Sequence, residues 1–68
     1  MIDFHELGSL IKENRKKQGL SQTSLGSMTG FSASYISRIE NARVKPSIDA
    51  IEKIVKILKM KVKFFFDN

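Results

Sequence analysis

Cysteine and tryptophan are both absent from this chain of 68 residues. Without cysteine, disulfides and thiolate-based metal or redox chemistry are excluded. Proline occurs once and glycine four times, too few for a linker or a low-complexity segment. The single histidine, His5, stands beside Asp3 and Glu6 near the N-terminus, with no second histidine to complete a metal site or a catalytic triad. No glycine-rich phosphate loop appears. Neither catalytic residues, nor a metal, nor a cofactor is therefore expected, and the chain does not read as an enzyme. No apolar run approaches the roughly 20 residues of a membrane span. The first residues lack a basic region followed by an apolar stretch, so no secretory leader is expected and a cytoplasmic location is. Acid is also scarce, with seven Asp and Glu against twelve Lys and Arg, a net charge of +5. That balance suits a polyanion, and nucleic acid is the commonest one.

The length bounds the chain to one domain (residues 1–68), near the lower limit for folding without staples. Phe4, Leu7, Leu10 and Ile11 recur at helical spacing and predict a first helix from about Phe4 to Gln18. Asp3 caps its start, Gly19 stops it, and Arg15 to Lys17 sit in the last turn, where the helix dipole favours cations. Ser21 caps a short second helix with Leu25 and Met28 inward. Gly26 costs that helix roughly 1 kcal/mol against alanine, which suggests that another helix crosses closely there. Gly30 supplies a positive-φ turn residue. Ser32 caps a third helix whose inward residues are Phe31, Ile36 and Ile39. Ser47, after Pro46, caps a fourth helix from Ile48 to about Leu58, with Ile48, Ile51, Ile54, Val55 and Leu58 as its apolar face. Two short helices joined through Thr29-Gly30-Phe31 have the sequence shape of a helix-turn-helix.

The outer face of the third helix is unusual. A solvated helix fills that face with Lys, Glu and Gln, but here it carries Ser32, Ala33, Ser34, Tyr35, Ser37 and Arg38. A loop with Asn41, Arg43 and Lys45 follows. The C-terminal run KMKVKFFFDN changes period. Met60, Val62, Phe64 and Phe66 alternate with Lys61, Lys63 and Phe65, as in a β-strand. These apolar residues need burial. Two arrangements provide it: a strand that pairs with its mate in a homodimer, or a short fifth helix packed on the domain's own core. The tail, 59–68, is accordingly read as a dimerisation or core-packing segment beyond a core of 4–58.

The stretch GLSQTSLGSMTGFSASYISRIENARVKPSIDAIEKIVKIL resembles the helix-turn-helix domain of the Cro/C1-type (xenobiotic-response-element) regulators. The resemblance runs from about Leu7 to Leu58. It rests on Gly19-Leu20-Ser21-Gln22, on Leu25, on Gly30, on the run from Tyr35 to Asn41, and on Pro46-Ser47, all in order. The resemblance implies an all-α, lambda-repressor-like fold of four to five helices. It also implies sequence-specific binding of double-stranded DNA as a homodimer on a palindromic operator, in a bacterial or phage setting. The third helix would enter the major groove, where serine and alanine let the backbone approach and long side chains would obstruct it.

Position by position, the resemblance implies a phosphate contact for Gln22. Ser32 would combine helix capping with a phosphate contact. Ala33 would meet a thymine methyl, Ser34 a base edge, and Arg38 guanine O6 and N7. Tyr35 would cover the backbone or pack along the second helix, with Ser37 on the same outer face. Asn41, Arg43 and Lys45 would hold phosphates from the loop. Glu40 looks misplaced beside DNA and is expected to cap or to pair internally, the candidate partner being Arg15 at the family's basic position in the first helix. Two residues depart from the family pattern. Gly26 replaces the usual alanine, a change expected to keep the close helix contact and only to lower helix stability. Ala42 replaces the usual glycine, which makes Asn41 the expected left-handed residue of the loop. The tail resembles that of DNA-binding antitoxins of the same family. The rival function is therefore a protein-interaction module, docking a toxin or a larger regulator.

Overall fold

The computed structural model describes residues 2–60. They form four helices, α1 (Phe4–Lys17), α2 (Gln22–Thr29), α3 (Ala33–Glu40) and α4 (Ile48–Leu58), and no strand occurs among the described residues. Each helix begins on a short polar cap. The Asp3 carboxylate accepts from the backbone N–H groups of His5 and Glu6. The hydroxyls of Ser21, Ser32 and Ser47 accept from those of Ser24, Tyr35 and Ala50. A cap of this kind satisfies donors that the helix itself leaves free, and contributes about 1 kcal/mol.

Each helix also ends the same way, on a residue with positive φ: Gly19, Gly30, Ala42 and Lys59. In α3 the N–H of Ala42 donates to Ile39 O and that of Arg43 to Arg38 O, which is the Schellman pattern. The expectation for Asn41 is thus corrected. Asn41 is the C-cap with φ −98, and Ala42 takes the left-handed position with φ +56. The two-bond closure needs its left-handed residue one place after the cap, and that place is Ala42.

Leu7 and Ile11 of α1, Leu25 of α2, Ile36 and Ile39 of α3, and Ile51, Ile54, Val55 and Leu58 of α4 form the buried core. Each such side chain contributes about 1.5–3 kcal/mol of burial free energy. Three expected inward residues lie outside it: Met28 and Ile48 are each 51% exposed, and Phe31 packs half-buried against its edge. In α2 the buried stripe is Leu25, Gly26 and Thr29. A glycine marks no apolar side, so the pattern pointed one position too far round, to Met28. In α4 the first residues to reach the core are Ala50 and Ile51.

Two glycines set how closely the helices approach. A Cβ on Gly26 would lie 2.5 Å from Phe31 O and 3.3 Å from the Ser32 carbonyl carbon. The close approach anticipated there is real, but the neighbour is the turn leading into α3, not a crossing helix. The expectation that Gly26 merely lowers helix stability is corrected as well, because a methyl group would collide with backbone. Gly8, unremarkable in the sequence, holds α1 against the end of α3, where a Cβ would meet Ile39 O at 2.6 Å.

At the C-terminal end, Gln18 Nε2 donates to Leu58 O at 2.8 Å, which ties the end of α4 to the end of α1. Met60 packs half-buried against the core, its N–H donating to Val55 O. Val62, Phe64 and Phe66, and with them the choice between strand and fifth helix, lie outside the described residues.

Candidate nucleic-acid interface

The site grows from α2, the turn at Gly30 to Ser32, and α3. Ile36, Ile39 and Glu40 commit one side of α3 to the interior. The helix period then sends Ser34 and Arg38, four residues apart, to the opposite side, and both are exposed. Ala33 and Ser37 are half-buried beside them. The exposed stripe of α3 therefore carries one long side chain, Arg38, among small ones. Among the described residues the Arg38 guanidinium has no hydrogen-bond or ion-pair partner. The ordinary alternative for Arg38 is a surface bridge to Glu40 or Glu52; Glu40 is held by Arg15 instead, and no Arg38–Glu52 ion pair forms among the described residues.

Glu40 is buried, 7% exposed, and so is Arg15 at 6%. Arg15 donates Nε to Glu40 Oε2 at 2.7 Å and Nη2 to Oε1 at 3.0 Å. Its Nη1 donates to Leu20 O at 2.8 Å. Gln22 Nε2 donates to the same Glu40 Oε1 at 3.1 Å. The Glu40 carboxylate thus joins α3 to α1 and α2, and Arg15 ties in the loop after α1. The pairing of Glu40 with Arg15 was legible in the sequence; the third partner, Gln22, was not. The hydrogen bond accepted by Glu40 raises the Arg15 pKa above its ordinary value.

Tyr35 is half-buried, its ring 5.1 Å from that of Phe31 in an edge-to-face contact at 71°. Lys53 Nζ stands 5.6 Å from the Phe31 ring centre. The turn is therefore covered by an aromatic pair with a cation above it. Ser32 is exposed, with its hydroxyl engaged as the cap of α3. Asn41 Nδ2 donates to Ser37 O at 2.8 Å, so its amide is partly occupied in closing α3. In the loop that follows, exposure alternates. Arg43 and Lys45 are exposed, and they alternate with Val44, half-buried, and Pro46, buried. The apolar pair fixes the segment and turns both cations outward.

Sequence reasoning missed three structural residues here. Thr29 is buried and its hydroxyl donates to Leu25 O and Gly26 O, which seals the end of α2. Gly8 and Gln18 are the others. For Gly8 the signal was a glycine in an amphipathic helix; for Gln18 there was none. No group of three His, Cys, Asp or Glu residues among those described could hold a metal ion. No helix among them is long and apolar enough to cross a membrane.

The helix-turn-helix family profile matches residues 11–65. The chain belongs to the helix-turn-helix family. It is 38% identical over 60 residues to the ImmF control region 10 kDa protein of Bacillus phage phi105, an alignment covering 88% of this chain and 67% of that protein. It is 37% identical over 63 residues to the transcriptional regulator SinR of Bacillus subtilis, covering 91% of this chain and 57% of SinR. The chain thus spans little more than half of that regulator's length. Its fold superposes on SinR in complex with DNA with a TM-score of 0.77 and 37% identity, covering 90% of this chain and 98% of the other. On the P22 c2 repressor bound to a synthetic operator the TM-score is 0.79 at 29% identity, covering 85% and 88% of the two chains. Of these, SinR is a helix-turn-helix transcriptional regulator and the P22 c2 protein is a repressor.

Proposed function

We propose that residues 1–68 act as one DNA-binding unit that recognises a palindromic operator as a homodimer and regulates transcription, in the first instance as a repressor. The observation that carries this reading is the outer face of α3. It offers small side chains and one guanidinium with no partner among the described residues, where a solvated helix would carry long charged ones. An α-helix with its side chains is about 10–12 Å across, and the short side chains on the outer face of α3 keep it narrow enough for a major groove about 12 Å wide.

In this reading Ser34 and Ala33 meet base edges, and Arg38 takes a guanine with both arms of its fork, worth about 1–3 kcal/mol of discrimination. Ser37 lines the same groove wall. Ser32, Tyr35, Gln22, Asn41, Arg43 and Lys45 hold phosphates and set the register. The protein works without cofactor or catalysis, in the cytoplasm. One module of this size buries only about 600–1,000 Å² on DNA, so useful affinity calls for two modules one helical turn apart.

Fluorescence-anisotropy titration of a labelled duplex across a salt series tests the reading. Affinity for the preferred duplex should fall steeply and linearly on a log–log plot, by about 0.9 per phosphate contacted. Arg38→Ala should relax preference among duplexes with little change of slope. A protein that binds no duplex at moderate salt would instead be a partner-docking module.

A further inference from the structure

We propose that Glu40 is a positioning residue for DNA binding: it holds the Gln22 amide so that the second N–H of Nε2 is aimed at a phosphate before DNA arrives. The inference rests on the DNA-binding reading above and adds to it a buried group that never touches DNA. Glu40 Oε1 accepts from both Arg15 Nη2 at 3.0 Å and Gln22 Nε2 at 3.1 Å. The Glu40 side chain is 1% exposed and that of Arg15 7%. An ionised carboxylate only accepts, so the face of the Gln22 amide turned to it must be the nitrogen. The orientation of the amide is thereby settled by chemistry.

The nitrogen has two protons, and Glu40 takes one. The other is left for a second acceptor, on a residue at the first position of α2, where the helix N-terminus favours anions. A free glutamine loses rotamer entropy when it engages a ligand. Here that loss has already occurred on folding, so the phosphate contact forms at lower cost on binding. Arg15 is the counter-charge of the Glu40 carboxylate in the interior, 2.7 Å away.

A mutant cycle tests the claim. One variant replaces the ion pair by apolar residues of similar size, Arg15→Met with Glu40→Leu; another is Gln22→Ala; a third combines all three changes. Affinity for the preferred duplex is measured by anisotropy, and folding by circular dichroism. The proposal predicts a loss of about tenfold for the apolar pair and for Gln22→Ala. The triple variant should bind no more weakly than either. Losses that multiply in the triple variant would overturn it, because Glu40 would then act by another route. Nitrogen-15 NMR of the free wild-type protein supplies a readout that needs no folded variant. The Gln22 side-chain amide should be rigid, with one proton shifted by the carboxylate. A freely rotating Gln22 amide overturns the positioning role even if DNA binding stands, whereas absence of duplex binding with a rigid amide overturns the DNA reading itself.

Discussion

Ala42, Gly26 and Arg15 each carry a cost or a constraint that a single substitution exposes. Ala42 sits at φ +56, a region costing about 1–2 kcal/mol for an L-residue with a Cβ. Ala42→Gly should raise stability by about 1 kcal/mol in urea denaturation, offset in part by the greater freedom of glycine in the unfolded chain. Gly26→Ala sets two effects against each other. Helix propensity favours alanine by about 1 kcal/mol. The collision with Phe31 O at 2.5 Å involves backbone on both sides and costs more, about 1–3 kcal/mol. The variant should therefore melt lower, and a higher melting temperature would show that the turn yields easily. Arg15→Ala strands a buried carboxylate and should cost about 3–5 kcal/mol. The raised Arg15 pKa is stability fully present below the ordinary arginine value and lost only as pH rises through the higher folded value. No alkaline loss from this pair should therefore appear until the arginine range is reached. The Arg15–Glu40 pair was available from the family resemblance, which puts a basic residue at Arg15, and from the poor fit of an acid beside DNA; the structure forms it through two hydrogen bonds. The left-handed Ala42 could not be read from the sequence, because propensity favours Asn41 and only the hydrogen-bond closure of α3 selects its neighbour.

Helix boundaries were the most legible feature at the scale of elements. Asp3, Ser21, Ser32 and Ser47 announce the four starts, and all four cap in the structure. Helix faces were less legible where small residues do the packing. Gly26 and Thr29 bury a side of α2 that an apolar count assigns to Met28, and Ala50 does the same against Ile48. The outer face of α3, proposed as the recognition face, stands out in the sequence as a shortage of long side chains, which solvent alone would not select. Ser34→Glu tests that face as a surface. The side chain is exposed, so melting should shift by less than about 0.5 kcal/mol. Operator affinity should fall at least about tenfold as a carboxylate is brought toward phosphates and base edges. Unchanged affinity in that variant would place recognition on another face.

For the whole molecule, the basic balance, the small core and the narrow outer face of α3 converge on one partner. The chain carries a net charge of +5, and Arg38, Arg43 and Lys45 extend it along α3 and the loop after it. Charge alone would give binding without selectivity. Selectivity requires Arg38 and its small neighbours to reach base edges, and two copies to be spaced one helical turn apart. The measurement that tests this most directly is selection of bound duplexes from a random-sequence pool, with the wild-type protein and Arg38→Ala in parallel. The account predicts an enriched palindrome with half-site centres about ten base pairs apart, containing a guanine whose preference is lost in Arg38→Ala. Enrichment of no sequence above the pool, or an identical motif from both proteins, would contradict it.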